Sequence, residues 1–500
     1  MLDQSFSASN FNIIFFKENR KGAIKKKFLN TEYFEKHEEF KKVLSEKIEL
    51  KKSNGGNPLS KEQLDDFAIR LDSINKEKEE IRNNIFFSYS EIINSEENLF
   101  HFNINYDKQK KVYTTKRDGV HFFVMKQLQY NIHKTFKVKQ ADRNSIISQV
   151  FNLLNDGFPK VVVRTDISKF YESIPQEKLF ELINNNTLLS PQSRKLLKRL
   201  FYEFNQIKDT SIIDINKGIP RGLGISSYLS ELYMRRIDEE IRSLPDLIYY
   251  TRYVDDIVAI FSPKTRSTKR NYSLEINGII NSYSLEINDN LESRKDKTHT
   301  IDLYSDKTKN KNFFENFQLV FLGYEFKLKH FPKNSKTDVK IHISENKIIR
   351  YQYRIKRSIE VYNKDSKFNE KIARKILFDR LRFLSGNFRL KNNKRGIPSG
   401  IFYSNKMLEL TGANLCMNRL NQILDDELEF IEFHLTNDQN DLKKLKNLIK
   451  TNFCFISGFY NKDENFYSFK FNSKENEIYR KKFGRLSNKY EVIKSIWKDE

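Results

Sequence analysis

Cysteine is almost missing from this 500-residue chain: only Cys416 and Cys454 occur. Two thiols build neither a disulfide framework nor a structural zinc site, and a reducing cytosol fits them. The eight histidines are scattered without metal-ligand spacing, so each reads as a surface or packing residue. No apolar stretch is long enough to span a bilayer and no signal-peptide pattern is found, so a soluble, cytoplasmic protein without a membrane partner is expected. Internal repeats are missing as well. So is a second acidic cluster of the kind that an RNase H or endonuclease centre would use.

Positive charge is what the chain has in excess. Against 66 Asp and Glu stand 89 Lys and Arg, a formal charge of +23 and a pI of about 9.5. That balance attracts phosphate backbones and makes binding salt-dependent. Part of the lysine excess goes with abundant Asn, Ile, Phe and Tyr, whose codons are all rich in A and T. The 42 Phe and 24 Tyr recur at helical and strand spacings that assign most of them to the core, leaving a minority to stack bases.

Five hundred residues suffice for two or three domains. Residues 1–110 alternate Lys/Glu-rich helical segments with a break at 52–60, and Ser60 with Gln63 has the form of a capping box opening a helix through Arg82. A helical hairpin or arm is expected there. Its basic run from Lys21 to Lys27 reads by default as a solvated charged face, with RNA contact as the alternative. Beyond Phe326 the pattern turns mostly helical, with three- and four-residue apolar spacing over 345–362, 369–385, 406–435 and 440–451. A basic, glycine-punctuated loop at 386–400 interrupts it, and serves either as a nucleic-acid clamp or as a flexible connection.

The chemistry is concentrated between these regions. Tyr253, Val254, Asp255 and Asp256 lie between two apolar, β-branched runs, 247–252 and 257–261, which read as a hairpin with both acids at its tip. Adjacent carboxylates suit Mg²⁺ that is shared with substrate phosphates, although an ordinary acidic hairpin has the same pattern. Upstream, the buried-strand pattern 161–165 runs into Asp166, which either joins the hairpin acids across a sheet or caps a helix. Between the two, 217–234 is a glycine-rich turn leading into an amphipathic helix. Gly222 and Gly224 allow close approach of a ligand and the helix start favours phosphate, whereas the plain alternative is a loop and cap.

In order and spacing these segments resemble motifs A, B and C of the reverse transcriptase palm. Residues 285–288 with Lys297 and Thr298 look like motif D, Phe321, Leu322, Gly323 and Tyr324 like the primer grip of motif E, and Arg143 like the fingers arginine that faces the incoming triphosphate. The resemblance implies an α+β right-hand polymerase: a helical extension over 1–110, fingers and palm over 111–330, and a helical thumb and C-terminal region over 331–500. It assigns Asp166, Asp255, Asp256 and the carbonyl of Ile167 to two Mg²⁺ ions, with Mn²⁺ as a substitute. Tyr171 becomes the steric gate against a ribose 2′-hydroxyl, and Arg221, Gly222 and Lys297 join Arg143 and Tyr171 around the dNTP. Lys116, Arg117, Lys134, Lys137 and Lys139 are then phosphate contacts around Arg143. Arg221 departs from the glutamine usual before the motif B glycine, and Ser226 and Ser227 replace the common Ser-Pro.

Residues 170–174, 218–227 and 253–256 together resemble the bacterial abortive-infection and defence-associated reverse transcriptases. The opening 1–11 and 18–22 are similar to the first polymerase of the type 3 defence system, which works with a second reverse transcriptase and a structured noncoding RNA. The implied partners are an RNA template or noncoding RNA, the DNA product, dNTPs, a second reverse transcriptase subunit and a further copy of the chain, all in a bacterial cytoplasm. Three functions are weighed: a DNA polymerase, either templated by RNA or protein-primed and untemplated; an RNA polymerase, which Tyr171 disfavours; and a silent RNA-binding scaffold. Three uncompensated carboxylates at one site speak against the scaffold.

Overall fold

A computed structural model describes residues 3–55, 58–138, 141–211, 213–263, 270–288, 298–304, 306, 308–390, 396–432, 439–462, 466–467 and 489–497. Helices and antiparallel sheets both contribute, and the chain divides into two compact units. One takes in Met1–Gln140, Ile167–Ile241 and Asn277–Glu286, the other Ala141–Asp166, Arg242–Ile276 and Ile287–Glu500. Among the described residues no helix is long and apolar enough to cross a membrane.

The first unit opens with α1 (Ala8–Arg20), followed by α2 (Thr31–Ser53) and α3 (Lys61–Asn94), which form the expected helical hairpin. The capping box is present. Gln63 N–H donates to Ser60 Oγ at 3.2 Å, and Ser60 N–H donates to Gln63 Oε1 at 3.1 Å. Helix α3 runs twelve residues beyond the expected end at Arg82, because Phe86 and Ile93 keep the apolar face going and both are buried. Phe86 packs edge-on against Phe123 of α4 (Gly119–Phe136), with ring centroids 4.7 Å apart. Between these helices the short strands β1 (Asn105–Asp107) and β2 (Val112–Thr114) pair as a hairpin.

The second unit holds the larger core. Helix α5 (Arg143–Leu154) leads to β3 (Lys160–Asp166), and β4 (Leu247–Tyr253), β5 (Asp256–Phe261) and β6 (His299–Leu303) complete a four-stranded antiparallel sheet in the order β4-β5-β3-β6. Every residue from Ile257 to Phe261 is fully buried, as befits a central strand. A second sheet, β7 (Glu315–Phe321), β8 (Tyr324–Phe331) and β9 (Lys336–Ile343), is a plain meander.

The last two strands of that meander fill the stretch between Phe326 and the first helix expected beyond it, which begins at 345. Leu328, Val339, Ile341 and Ile343 are buried in alternation with exposed lysines, which is the two-residue period of a strand. The long helix Glu345–Ser385 joins the two helices expected there across a kink at Asn369 (φ −156°, ψ 91°). The helix expected over 406–435 is instead a 3₁₀ turn, Lys406–Leu410, and a separate helix, Asn414–Leu428, because Gly412 takes φ +91° between them. The ends of the 386–400 loop pair as β10 (Asn387–Arg389) and β11 (Pro398–Gly400), while its basic residues 391–395 lie outside the described residues.

Candidate active site

Tyr253 and Asp256 face each other in the β4–β5 register, which leaves Val254 and Asp255 as a two-residue loop. Val254 is held at φ +62°, where a β-branched side chain is strained. Arg252 Nη1 donates to the Val254 carbonyl at 2.7 Å and fixes that strained peptide. Asp255 therefore stands at the apex and Asp256 begins β5.

Strand β5 continues antiparallel to β3 with Asp166 directly opposite Asp256. Residues opposed in this way project from the same face of a sheet, and two like charges there repel. Arg164, two residues before Asp166, shares that face. Its guanidinium reaches Asp256 Oδ1 at 2.7 Å and Asp166 Oδ1 at 3.8 Å. Arg164 is 7% exposed and Asp166 only 2%. The acids are thus not uncompensated, contrary to the sequence reading; a charged residue inside a buried apolar strand was the signal that a partner had to exist. The backbone of Asp166 is pinned from the other side. Asn288 N–H donates to the Asp166 carbonyl at 2.8 Å, and Thr298 Oγ1 bridges Thr165 Oγ1 at 2.8 Å and the Asn288 carbonyl at 3.0 Å.

Hard carboxylate oxygens at paired strand ends have the chemistry for Mg²⁺, so Asp166, Asp255 and Asp256 would hold it. Among the described residues no three His, Cys, Asp or Glu side chains stand grouped to hold a metal, which agrees with Asp256 being engaged by Arg164. Ile167 is buried, and at this residue the chain re-enters the other unit.

Within that other unit, Tyr171 is tied to the glycine-rich turn. Ile219 N–H donates to the Tyr171 carbonyl and Gly218 N–H to the Ile174 carbonyl, both at 2.8 Å, and Pro175 bridges to Lys217. Gly222 has φ +101°, and a Cβ added there would lie 2.6 Å from Val112 Cβ. Tyr113 N–H donates to the Arg221 carbonyl at 2.7 Å, so the β1–β2 hairpin backs the turn. The Arg221 guanidinium is exposed, 4.0 Å from Glu172. Ser226, at the start of the helix Ser226–Arg242, donates from Oγ to the Pro220 carbonyl at 2.7 Å. Lys116, Arg117, Lys134 and Lys137 are exposed, whereas Lys139 and Lys297 lie outside the described residues.

In the second unit Phe321 faces Tyr324, leaving Leu322 (φ +48°) and Gly323 (φ +76°) as a turn with two left-handed residues. Arg143 Nε donates to the Leu322 carbonyl at 3.1 Å, Nη2 donates to the same oxygen, and the guanidinium lies 5.0 Å from the Tyr324 ring centroid. The guanidinium assigned by resemblance to the incoming triphosphate is here taken up by the grip turn. Lys347, which the sequence reading missed, lies beside it. Its Nζ donates to the Ser404 carbonyl at 2.8 Å and to Asn405 Oδ1 at 2.6 Å, and sits 5.5 Å from the Tyr324 ring centroid. Burial, with Arg143 and Arg350 adding repulsion, pushes its pKa down to about 7. The available signal was a lysine in the first turn of a helix, where an acid is the favoured charge.

Residues 108–326 match the family described as reverse transcriptase (RNA-dependent DNA polymerase). This segment contains Asp166, Asp255, Asp256, the glycine-rich turn and the grip turn. Over these residues the chain accordingly carries a reverse transcriptase domain, of the RNA-directed DNA polymerase type. No curated protein matches it in sequence. Among solved structures it is similar to telomerase from Candida albicans in complex with a TWJ fragment of telomeric RNA, at 11% identity and a TM-score of 0.26. That match covers 68% of this chain and 54% of the other, so the chain spans about half of that protein, and so slight a likeness supports no argument.

Two predictions follow from the geometry. Arg164→Met leaves the acids facing one another without a cation, so in EDTA the variant should unfold with a loss of about 3 kcal/mol. Added Mg²⁺ should then raise its melting temperature more than that of the wild type; equal increments would show that Arg164 does not compete with the metal. For Lys347, the folded pKa of about 7 lies below the unfolded value near 10.5, so the burial penalty is complete below pH 7 and is relieved as pH rises. Denaturant titrations should show the wild type gaining about 2 kcal/mol on Lys347→Met between pH 7 and 9. Parallel curves would refute the shift.

Proposed function

We propose that this chain is a reverse transcriptase of bacterial antiphage defence, making DNA by two-metal nucleotidyl transfer on an associated noncoding RNA. The observation that carries the catalytic part is the register: Asp166 opposite Asp256 on buried central strands, with Asp255 at the adjoining apex. Two Mg²⁺ ions held there would activate the primer 3′-hydroxyl and stabilise the leaving pyrophosphate. Arg164 holds the acids together and keeps their charges balanced between turnovers. The bond formed joins the 3′-oxygen to the α-phosphorus of a dNTP, and the bond broken releases pyrophosphate.

Tyr171, five residues after Asp166, serves as the gate against a 2′-hydroxyl, and its tie to Ile219 sets its position relative to the glycine-rich turn. That turn, with Arg221 and Gly222, borders the nucleotide, while Phe321, Leu322, Gly323 and Tyr324 hold the primer end. In this reading 1–110 is a helical extension, 111–330 the fingers and palm, and 331–500 the thumb and C-terminal region. The defence role rests on the resemblance of 170–174, 218–227 and 253–256 to abortive-infection and defence-associated enzymes. It brings a second reverse transcriptase subunit and a cytoplasmic setting with it. A silent RNA-binding scaffold is the reading that the Arg164 pairing would favour.

Nucleotide incorporation separates these readings. Protein purified with and without RNase treatment is given each labelled dNTP or NTP with Mg²⁺. We expect RNase-sensitive, dNTP-only synthesis, lost by more than about 10³-fold in Asp255→Ala/Asp256→Ala. RNase-resistant product attached to protein would point to untemplated, protein-primed synthesis, and no incorporation in any state would favour the scaffold. Tyr171→Ala should admit ribonucleotides; a wild type that already uses them equally removes the gate.

A further inference from the structure

Two neighbouring cavities in the first unit lie away from the three aspartates in sequence and extend the positive charge of Lys116 and Arg117 onto the N-terminal arm, which the polymerase reading does not use. The first, of about 250 Å³, is bounded by the glycine-rich turn at Gly222, Leu223 and Gly224, by α4, and by the segment joining α1 to α2. Five cations line it: Lys25, Lys27, Lys116, Arg117 and Lys126. Asp118 is its one acid, and that carboxylate is already committed. It caps α4 through His121 N–H at 3.0 Å, meets His121 Nδ1 at 2.5 Å and pairs with Lys116 at 3.4 Å.

The second cavity, of about 290 Å³, shares Lys126 and Gln129 with the first, so the two adjoin along α4. Lys17 and Lys21 of the α1 segment line it, together with the rings of Tyr130, His133 and Tyr228. Its acids are committed too: Glu18 pairs with Lys21 at 2.7 Å and Lys126 at 3.3 Å, and Asp3 Oδ1 accepts from Ser5 N–H at 2.9 Å. Lys17 and Lys134 stand 5.3 and 5.8 Å from the Tyr130 centroid.

Cations crowded without spare acids repel one another, and a polyanion relieves that repulsion. Lys27 and Lys17 both have their pKa values lowered by burial and then by neighbouring cations: Lys25 and Arg117 for Lys27, and Lys21, Lys134 and Lys126 for Lys17. A single triphosphate would fill only one cavity. Adjoining cavities, the first with five cations beside the rings of Phe28 and Phe122 and the second with the rings of Tyr130, His133 and Tyr228, fit a chain of phosphates that carries stackable bases.

We propose that the N-terminal arm and α4 form a track for a single-stranded phosphodiester backbone, running from the Gly222–Gly224 turn to the ring-lined cavity of Tyr130, His133 and Tyr228. The arm is then one wall of a nucleic-acid path rather than a solvated charged face. The identification of the strand as template RNA or as DNA product rests on the polymerase reading; the track itself does not.

The test is fluorescence anisotropy of RNase-treated, full-length protein with labelled RNA and DNA 20-mers of one sequence, from 50 to 300 mM KCl. Lys25→Ala/Lys27→Ala should flatten the log–log salt dependence by about 1.4, two phosphate contacts of a single strand. Tyr130→Ala should weaken binding about tenfold with little change of slope. Lys51→Ala/Lys52→Ala, which removes two exposed charges at the end of α2, is the matched control and should leave the slope unchanged. A stronger effect on RNA assigns the track to template, and a stronger effect on DNA assigns it to product. Equal slopes for the two lysine pairs, or a wild type that binds neither strand, would overturn the proposal. Repeating the titration in Asp255→Ala/Asp256→Ala separates the two ideas: lost synthesis with an intact track slope keeps both, and an inactive wild type with the same slope keeps only the track.

Discussion

The antiparallel pairing of β3 with β5 is the constraint from which the rest of the site follows. It sets Asp166 against Asp256 on one face of two buried strands, and a shift of either strand by one residue would put the two acids on opposite faces of the sheet. Such an arrangement costs electrostatic energy when nothing stands between the charges. Arg164 offsets that cost from within β3 itself, because the two-residue period of a strand returns it to the same face as Asp166. The flanking strands β4 and β6 close the sheet on both sides, and the fully buried run from Ile257 to Phe261 ensures that the register cannot slip without exposing a core strand.

The β4–β5 and β7–β8 turns use the same device. Val254 and Leu322 are both non-glycine residues in the left-handed region, and in each case an arginine bonds to the carbonyl at that position: Arg252 for Val254, Arg143 for Leu322. Strain in a loop persists only where the surroundings over-determine it. The arginines supply that determination, and they do so at the two turns where the resemblance places catalysis and primer contact. Arg143 therefore acts here through the grip turn. In the other unit the backbone of Tyr171 is tied to Ile219 and so to the glycine-rich turn.

Elements with local signals were legible in the sequence. The hairpin around Asp255, the strand ending in Asp166 and the Ser60 capping box each needed only a few neighbouring residues, and each is found. Where interactions join distant segments, local patterns were not enough. Arg164 looked like one odd residue in an apolar run, because its partner Asp256 lies 92 positions away. Lys347 depends on Ser404 and Asn405, more than fifty positions on, for its place beside Tyr324. The β8–β9 pair lies largely in 327–344, to which no element was assigned, although its buried positions keep the two-residue period of a strand.

The distribution of charge gives the chain's +23 a more specific meaning than affinity for phosphate in general. At the aspartates and at the grip turn three arginines are already engaged: Arg164 by Asp256 and Asp166, Arg252 and Arg143 by strained carbonyls. Such groups are positioned by their partners and contribute order rather than attraction. Along α4 and the arm the reverse holds. Lys25, Lys27 and Arg117 crowd one another in a cavity whose one acid, Asp118, is bound up in capping its helix. A cation that already has a partner gains little from an arriving phosphate, whereas one held among like charges gains both the new attraction and relief from the old repulsion. Net charge alone therefore does not locate a nucleic acid on this chain; the places where positive charge has been left unbalanced do.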